Sequence, residues 1–224
     1  MWCGSITHMC IRFNNPSTPG DVSPETPGGH IEERSQMLKR RSLLLSPLLG
    51  LTGRSSLAAP DMWAALRAGD AFVLLRHAIA PGVGDPPGMR IGDCSTQRNL
   101  SGEGRAQALR IGLLFQTNGV AEAEVHSSQW CRCLDTANLL GLGPVLHQPL
   151  LNSFIGTPAE GKGQTASLKT WLSSRPPGPP LVLVTHQVNI TALTALVPSS
   201  GELIFAAFAA SGDLTVLGRQ SAGA

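Results

Sequence analysis

Two short apolar segments, each followed directly by a histidine, most constrain how this chain can fold. Residues 72–77 read Phe-Val-Leu-Leu-Arg-His, and residues 181–186 read Leu-Val-Leu-Val-Thr-His. Continuous apolar runs of this length are typical of strands buried on both faces, as in the parallel sheets of α/β proteins. Arginine and histidine are costly to bury, so their position at the carboxyl ends of such strands indicates a ligand site there.

The sequence between the two strands alternates between helix-like and strand-like patterns, which predicts an α/β protein. Right-handed crossovers would bring the carboxyl ends of both histidine-bearing strands to the same edge of the sheet. We therefore predict a three-layer α/β/α sandwich with a mostly parallel sheet. Besides strands at 72–75 and 181–185, the predicted elements are a strand at Glu124–His126, helices at 101–116, Gln129–Leu140, Gln164–Leu172 and Val188–Leu196, and a closing hairpin of Leu203–Ala209 and Leu214–Leu217.

Serine residues mark the predicted starts of two of these helices. Ser101 can cap the first, with Glu103 near its positive end, and Ser128 can cap the helix that carries Arg132. The apolar side chains expected to face the core from the first helix are Ala106, Leu109, Ile111, Leu113 and Leu114, and those from the second are Leu134, Ala137 and Leu140.

Two further motifs lie between the strand-end histidines. Residues 127–137 read Ser-Ser-Gln-Trp-Cys-Arg-Cys-Leu-Asp-Thr-Ala, and residues 99–105 read Asn-Leu-Ser-Gly-Glu-Gly-Arg. Together with Arg76, His77 and His186, this ordered set over residues 72–194 resembles the histidine phosphatase superfamily, the phosphoglycerate-mutase-like group. The resemblance implies the fold of that group and assigns its catalytic positions to His77, Arg76, Arg132 and His186.

The residue types at these four positions suit phosphoryl transfer. A neutral imidazole at His77 can attack phosphorus and form a phosphohistidine, which divides one difficult displacement into two easier ones. The planar guanidinium groups of Arg76 and Arg132 match the geometry of a phosphate, as a lysine would not. A protonated His186 beside a dianionic phosphate would be a further donor, and the helix start after it adds partial positive charge.

The general acid is the position at which the sequence departs from the best-known members of the group. Asn152-Ser153 stands where mutase-type relatives supply a glutamate, and Gln187 stands where acid-phosphatase relatives have an aspartate. The available carboxyl groups are Asp93, which we expect to border the pocket, and Glu160 and Asp85. Residues predicted to bind substrate are Asn99, Ser128 and Arg98; His126 lines the pocket or is a core histidine, and His147 is predicted in a loop.

Charge and composition separate the chain into a leader and a domain. The chain carries 17 Lys and Arg against 15 Asp and Glu, but residues 59–224 hold equal numbers, so nothing marks the domain as a nucleic-acid binder. Residues 1–36 are polar and predicted to be disordered or to reflect a mis-assigned start. Residues 37–58 have the charged, apolar and small-residue parts of a signal peptide, Sec or twin-arginine, too short for a stable membrane anchor. We therefore expect a periplasmic or secreted domain at 59–224.

The cysteines of the expected domain are Cys94, Cys131 and Cys133, an odd number. Cys131 and Cys133 are two residues apart on a predicted helix and point to different faces, which argues against zinc. No metal or cofactor is predicted. In an oxidising compartment Cys94 could pair with either Cys131 or Cys133 and leave one thiol free.

The expected function is hydrolysis of small phosphomonoesters, with a phosphorylated sugar as the guess, because the Thr185-His186-Gln187 segment and the export-like leader are similar to the envelope group that includes lipopolysaccharide heptose phosphatases. One alternative is a protein phosphohistidine phosphatase, which fits the missing acid but requires cytoplasmic residence. The other is a relative that binds a phosphorylated ligand with little turnover; the presence of a nucleophile argues against it.

Overall fold

A six-stranded sheet runs through the middle of the described residues, 61–222, of this computed structural model. The strand order is β3-β2-β4-β1-β5-β6. The first four of these strands pair in parallel, and β5 and β6 form an antiparallel hairpin at one edge. The mostly parallel sheet and the closing hairpin are therefore confirmed. The strands are β1 (Phe72–Arg76), β2 (Glu124–Ser127), β3 (Val145–His147), β4 (Leu181–Thr185), β5 (Glu202–Phe208) and β6 (Leu214–Ser221).

Between residues 61 and 222, five α-helices cover the two faces of this sheet. They are α1 (Met62–Ala68), α2 (Gly102–Thr117), α3 (Cys131–Leu140), α4 (Pro158–Ser173) and α5 (Gln187–Thr194). Within residues 61–222 no helix combines the length and apolarity needed to cross a membrane. The predicted leader at 37–58 and the segment 1–36 lie outside the described residues.

Alternate residues of each central strand supply two separate apolar layers, as expected for a strand buried on both faces. Val73 and Leu75 pack on one face with Trp63, Ile111 and Phe115 from the helices α1 and α2. The intervening residues Phe72 and Leu74 pack on the opposite face with side chains of α4 and α5, namely Leu168, Leu172, Ile190 and Leu193. The three-layer α/β/α architecture is thus confirmed, and it leaves the carboxyl edge of the sheet as the place for a site.

The predicted core face of α2 was partly wrong. Ile111 is buried, but Leu109 and Leu113 are 52% and 58% exposed. The buried stripe runs instead through Gly104, Gln107, Ala108, Ile111, Gly112 and Phe115. Glycines belong to this stripe because the helix lies very close to neighbouring backbone: a Cβ on Gly112 would be 2.3 Å from the carbonyl oxygen of Leu140. Apolar side-chain counting overlooks such a contact.

Other boundaries also differ from the prediction. Helix α3 begins at Cys131 rather than Gln129, since the hydroxyl of Ser128 is engaged by other partners and does not cap it. Helix α4 begins at Pro158, six residues before the predicted start, because a proline at the first helical position compensates for the weak helix formers Gly161 and Gly163. His147, predicted in a loop, belongs to the edge strand β3 and is exposed.

The glycine contacts predict opposite effects for two substitutions in helix interiors. Gly112→Ala should lower the free energy of unfolding by about 1–3 kcal/mol, because the new methyl group meets the backbone of Leu140, which cannot move aside cheaply. Gly163→Ala is the matched control: its Cβ would meet no atom within 4 Å, so it should stabilise the protein by about 0.4–1 kcal/mol. Urea unfolding of both variants checks this, and an unchanged midpoint for Gly112→Ala would contradict it.

Candidate active site

The pairing of the two central strands places the predicted histidines side by side. β1 and β4 are parallel neighbours with Arg76 in register with Thr185, and the backbone N–H of His77 donates to the carbonyl oxygen of Thr185 at 2.9 Å. His77 and His186 therefore follow adjacent strands at the same level. Their imidazole ring centres are 5.5 Å apart. The expectation that both strand ends meet at one edge of the sheet is confirmed.

His77 is held in the tautomer that a nucleophile needs. Its Nδ1 lies 2.8 Å from the carbonyl oxygen of Ala78, which can only accept, so Nδ1 carries the hydrogen and Nε2 keeps its lone pair. The side chain is buried. Burial lowers the pKa of His77 from its ordinary value of 6.5 to about 3, and the charges of Arg132, Arg76 and Arg98 act in the same direction. His77 is therefore neutral at physiological pH.

His186 belongs to a continuous chain of hydrogen bonds. Arg132 donates from a terminal nitrogen to Nδ1 of His186 at 3.5 Å, which leaves the hydrogen on Nε2, and Nε2 donates to the hydroxyl of Ser128 at 2.8 Å. Ser128 in turn donates to the side-chain oxygen of Asn152 at 3.2 Å. Burial, followed by the influence of His77 and Arg132, lowers the pKa of His186 well below its ordinary value. The predicted protonated state of His186 therefore requires a bound anion.

The two predicted phosphate-binding arginines lie at the carboxyl edge of the sheet, and each has one N–H donor, Nε, that makes no hydrogen bond. Arg76 donates to the carbonyl oxygen of Pro198 at 2.8 Å, and its Nε is buried without a partner. Arg132 is 2% exposed, and its Nε is also buried without a partner. Burial, and then the nearby Arg132 charge, lowers the pKa of Arg76. Unpaired buried donors are costly, so their presence on both arginines is typical of a site that awaits an acceptor.

A carboxylate from the segment after β1 closes the cluster. Asp85 accepts from the two terminal nitrogens of Arg132 at 2.7 and 3.0 Å, from Trp130 Nε1 at 3.0 Å and from the backbone N–H of Arg98 at 3.2 Å. Burial raises the pKa of Asp85, but the hydrogen bonds and charge of Arg132, followed by the hydrogen bonds from the Arg98 backbone and Trp130, outweigh it and lower the pKa. We call residues 79–93, which lie outside the regular helices and strands, the Asp85 loop.

Arg98, predicted to bind substrate, holds the Asp85 loop in place. Its Nε donates to the carbonyl oxygen of Gly84 at 2.6 Å, and a terminal nitrogen donates to that of Ala80. Burial and the Arg132 charge lower the pKa of its guanidinium, while Asp85 opposes that shift. Arg98 therefore adds positive charge near the site while its hydrogen bonds go to the backbone of the Asp85 loop. A direct contact of Arg98 with substrate stays a prediction.

Several other predicted residues lie outside the cluster. Asp93 accepts from Ser95 and from Arg90 at 2.6 Å, so none of its hydrogen bonds reaches the histidines, and its role as general acid stays a prediction. Glu160 lies exposed in the first turn of α4. Asn99 donates to the carbonyl oxygens of Cys94 and Gln97, and its side-chain oxygen is buried without a partner. Of the two alternatives for His126, the structure favours the core histidine, which binds Glu124 at 2.6 Å and packs on Trp171.

Sequence reasoning missed three polar residues that support the site. Thr136 accepts from the backbone N–H of Ala78 at 3.0 Å and donates to the carbonyl oxygen of Arg132, so it connects β1 to α3. Gln97 accepts from the backbone N–H of Cys131 at 2.9 Å. Asn152 accepts from the N–H of Gln129 as well as from Ser128. Only Thr136 carried a signal, its place one helical turn after Arg132.

The structure resolves the open choice of cysteine partners. Cys94 is bonded to Cys131, and Cys133 is free and buried. The disulfide joins the segment after the Asp85 loop to the residue before Arg132. Burial raises the pKa of the Cys133 thiol to about 12, so this thiol, 3.5 Å from His186, is not a nucleophile.

Solved structures with a similar fold include several phosphatases. No protein-family model and no curated protein matches the chain. A structure of a candidate alpha-ribazole-5'-P phosphatase from Escherichia coli aligns with a TM-score of 0.51 at 17% identity, over 65% of this chain and 93% of that chain. The protein histidine phosphatase SixA complexed with tungstate aligns at 0.49 and 16% identity, over 68% and 97%, and mycobacterial glucosyl-3-phosphoglycerate phosphatase at 0.46 and 18% identity, over 66% and 96%.

The described domain thus has the histidine phosphatase, phosphoglycerate-mutase-like fold. At identities this low the likeness establishes the fold, and the chemistry has to be argued from the site itself. Within residues 61–222 no group of three or more His, Cys, Asp or Glu side chains is arranged to hold a metal ion.

The lowered pKa values predict that neither strand-end imidazole gains a proton between about pH 8 and pH 5 in the folded, ligand-free protein. The unfolded chain takes up a proton at each near 6.5, whereas His77 does so only at about 3, so acidification through that window should reduce the free energy of unfolding. Long-range ¹H–¹⁵N spectra, assigned with His77→Gln, measure the tautomer and protonation state. An imidazolium signal from His77 at pH 6 would contradict this arrangement.

Proposed function

We propose that this protein is a phosphatase that hydrolyses small phosphomonoesters through a phosphohistidine on His77. The observation that carries the proposal is the Nδ1 hydrogen bond to Ala78, which leaves a neutral Nε2 lone pair near the buried Arg132 and the half-buried Arg76 and Arg98. A neutral nucleophile surrounded by positive charge suits attack on a dianionic phosphate. A site that only binds a phosphorylated ligand has no need of a nucleophile held in this way.

The two steps balance with residues of the site. Nε2 of His77 forms a bond to phosphorus as the bond between phosphorus and the leaving oxygen breaks, and Arg76, Arg132 and His186 bind the non-bridging oxygens. Water then attacks the phosphohistidine: its oxygen bonds to phosphorus as the bond between phosphorus and Nε2 breaks, and one of its protons passes to solvent, so inorganic phosphate is released and His77 is again neutral. The leaving alkoxide takes its proton from water or from a carboxylic acid. Asp85, the carboxylate that binds Arg132, has a lowered pKa and is therefore ionised in the ligand-free protein, so it does not hold a proton to donate.

The ionised state of Asp85 bears on the substrate. A phosphorylated sugar is our proposed substrate class, on the resemblance of the Thr185-His186-Gln187 segment to the envelope heptose phosphatases. A protein phosphohistidine phosphatase is the second candidate, because a phosphohistidine needs little protonation on leaving and a site with an ionised carboxylate would suffice. Purified protein assayed against sugar phosphates, aryl phosphates and a phosphohistidine peptide distinguishes the two, with vanadate as a transition-state mimic.

Replacing His77 by Ala should reduce turnover by several orders of magnitude, the scale of loss when a covalent nucleophile is removed. Rapid acid-free quenching with ³²P-labelled substrate should trap an alkali-stable, acid-labile phosphate that maps to His77. His147→Ala, on the exposed edge strand β3, is the matched control and should keep full activity. Retention of most activity by His77→Ala, or phosphate trapped on another residue, would refute the mechanism.

We further propose that the mature protein begins near Ala59 and works in the periplasm or outside the cell. The Cys94–Cys131 bond supports this location, because structural disulfides persist in oxidising compartments. Protein recovered from its native host should start close to Ala59 on N-terminal sequencing. Under non-reducing, denaturing alkylation, Cys133 alone among the cysteines of residues 61–222 should be labelled. An intact leader in the cytoplasmic fraction, or three alkylated thiols in exported protein, would contradict the proposal.

A further inference from the structure

The carboxylate of Asp85 occupies the donors of Arg132 that a phosphate would use. Both terminal nitrogens of Arg132 bind Asp85 in a bidentate pair, the same geometry in which an arginine binds two oxygens of a phosphate. Trp130 and the backbone N–H of Arg98 complete a set of four donors around the two carboxylate oxygens. In the ligand-free protein Asp85 therefore receives the hydrogen bonds expected of a bound anion.

Asp85 neutralises part of the positive charge of a cluster of three arginines. Arg76, Arg98 and Arg132 lie close enough to influence one another, since the Arg132 charge lowers the pKa of both other guanidiniums. Among the described residues, Asp85 is the only carboxylate that forms an ion pair with one of these three arginines, Arg132. An empty phosphate site without it would hold three like charges with no counter-ion, in a place where solvent screens them poorly.

Asp85 and a bound phosphate would compete for the same hydrogen-bond donors of Arg132. With Asp85 in place, the guanidinium has only its buried Nε left to offer. A dianionic phosphate held there would also lie beside the carboxylate, and two negative charges so close repel each other strongly where solvent screens them poorly. A phosphate that receives a bidentate bond from Arg132 must therefore displace Asp85.

The surroundings of Asp85 allow such a displacement. Next to Asp85, Pro86 and Pro87 are exposed and Val83 is 96% exposed, so the neighbouring side chains add little packing that would oppose movement. The loop packs on the core nearer its ends, through Ala80 and Met89. Beyond the loop, the Cys94–Cys131 bond fixes the chain to the start of α3. A movement of Asp85 would thus be confined to the loop and would leave Arg132 in position.

We propose that Asp85 is an internal counter-ion that competes with phosphate for Arg132, and that it sets the affinity of the site for phosphate and hastens release of the inorganic phosphate product. This inference rests on the proposed function and deepens it. Asp85 acts through Arg132 and is a positioning residue. Its cost is weaker substrate binding, and its benefit is that the arginine cluster does not retain the product.

The test compares Asp85→Asn with Asp135→Asn, which removes the α3 carboxylate of an ion pair with the exposed Arg105 of α2 and has the same change in charge. Calorimetry with inorganic phosphate and with vanadate should show Asp85→Asn binding each about tenfold or more tightly than the wild type, while Asp135→Asn binds like the wild type. In steady-state assays KM should fall in Asp85→Asn, and product inhibition by phosphate should strengthen.

A second measurement needs no variant of Asp85. The indole N–H of Trp130 donates to Asp85, so its ¹H–¹⁵N signal, assigned with Trp130→Phe, should shift when phosphate saturates the wild-type protein. Weaker phosphate binding by Asp85→Asn, a kcat loss confined to substrates with poor leaving groups, or an unmoved indole signal at saturation would each overturn the inference. If no protein in the series, wild type included, binds phosphate or vanadate, the proposed phosphatase site itself is wrong, which is a different pattern.

Discussion

The in-register parallel pairing of β1 and β4 is the interaction on which the site depends. Because the two strands are neighbours in the sheet and are paired from Phe72–Leu181 to Arg76–Thr185, the next residue of each strand is a histidine at the same level. A slip of one residue would turn every side chain of one strand to the other face and separate the imidazoles. The two apolar layers, which read alternate residues of β1, are what fix that register.

The site is a compromise between burial and charge. His77, Arg132 and His186 are all nearly inaccessible, which strengthens any electrostatic contact with a ligand but makes every unpaired charge expensive. The protein meets this cost in two ways. Burial keeps both histidines neutral while hydrogen bonds from His77 to Ala78 and from His186 to Ser128 fix their tautomers, and the positive charge of Arg132 is balanced by Asp85. The Nε atoms of Arg76 and Arg132 are buried without a hydrogen-bond partner, so part of the cost of burying these two arginines is not compensated.

Sequence patterns predicted the fold, and the ordered set of motifs over residues 72–194 pointed to His77, Arg76, Arg132 and His186, whose catalytic roles stay predictions. An apolar run that ends in histidine predicts a strand and its functional end together. The supporting contacts of Gln97 and Asn152 were not predictable in this way, since both act on backbone groups far away in the chain, and for Thr136 the only signal was its place one helical turn after Arg132. The same limit explains why Asp93 was favoured over Asp85: both lie in one glycine- and proline-rich loop, and only the tertiary structure pairs one with Arg90 and the other with Arg132.

The disulfide connects these observations, because it determines which part of the chain can respond to a ligand. Cys131 immediately precedes Arg132, and its bond to Cys94 fixes both the base of the Asp85 loop and the start of α3. The backbone N–H of Cys131 also donates to Gln97, so the residue that precedes Arg132 is held both by the disulfide and by this hydrogen bond. Asp85, nine residues before Cys94, is held instead by hydrogen bonds from Arg132, Trp130 and the backbone N–H of Arg98. A rigid arginine facing a less restrained carboxylate means that an arriving phosphate would move the anion, not the cation.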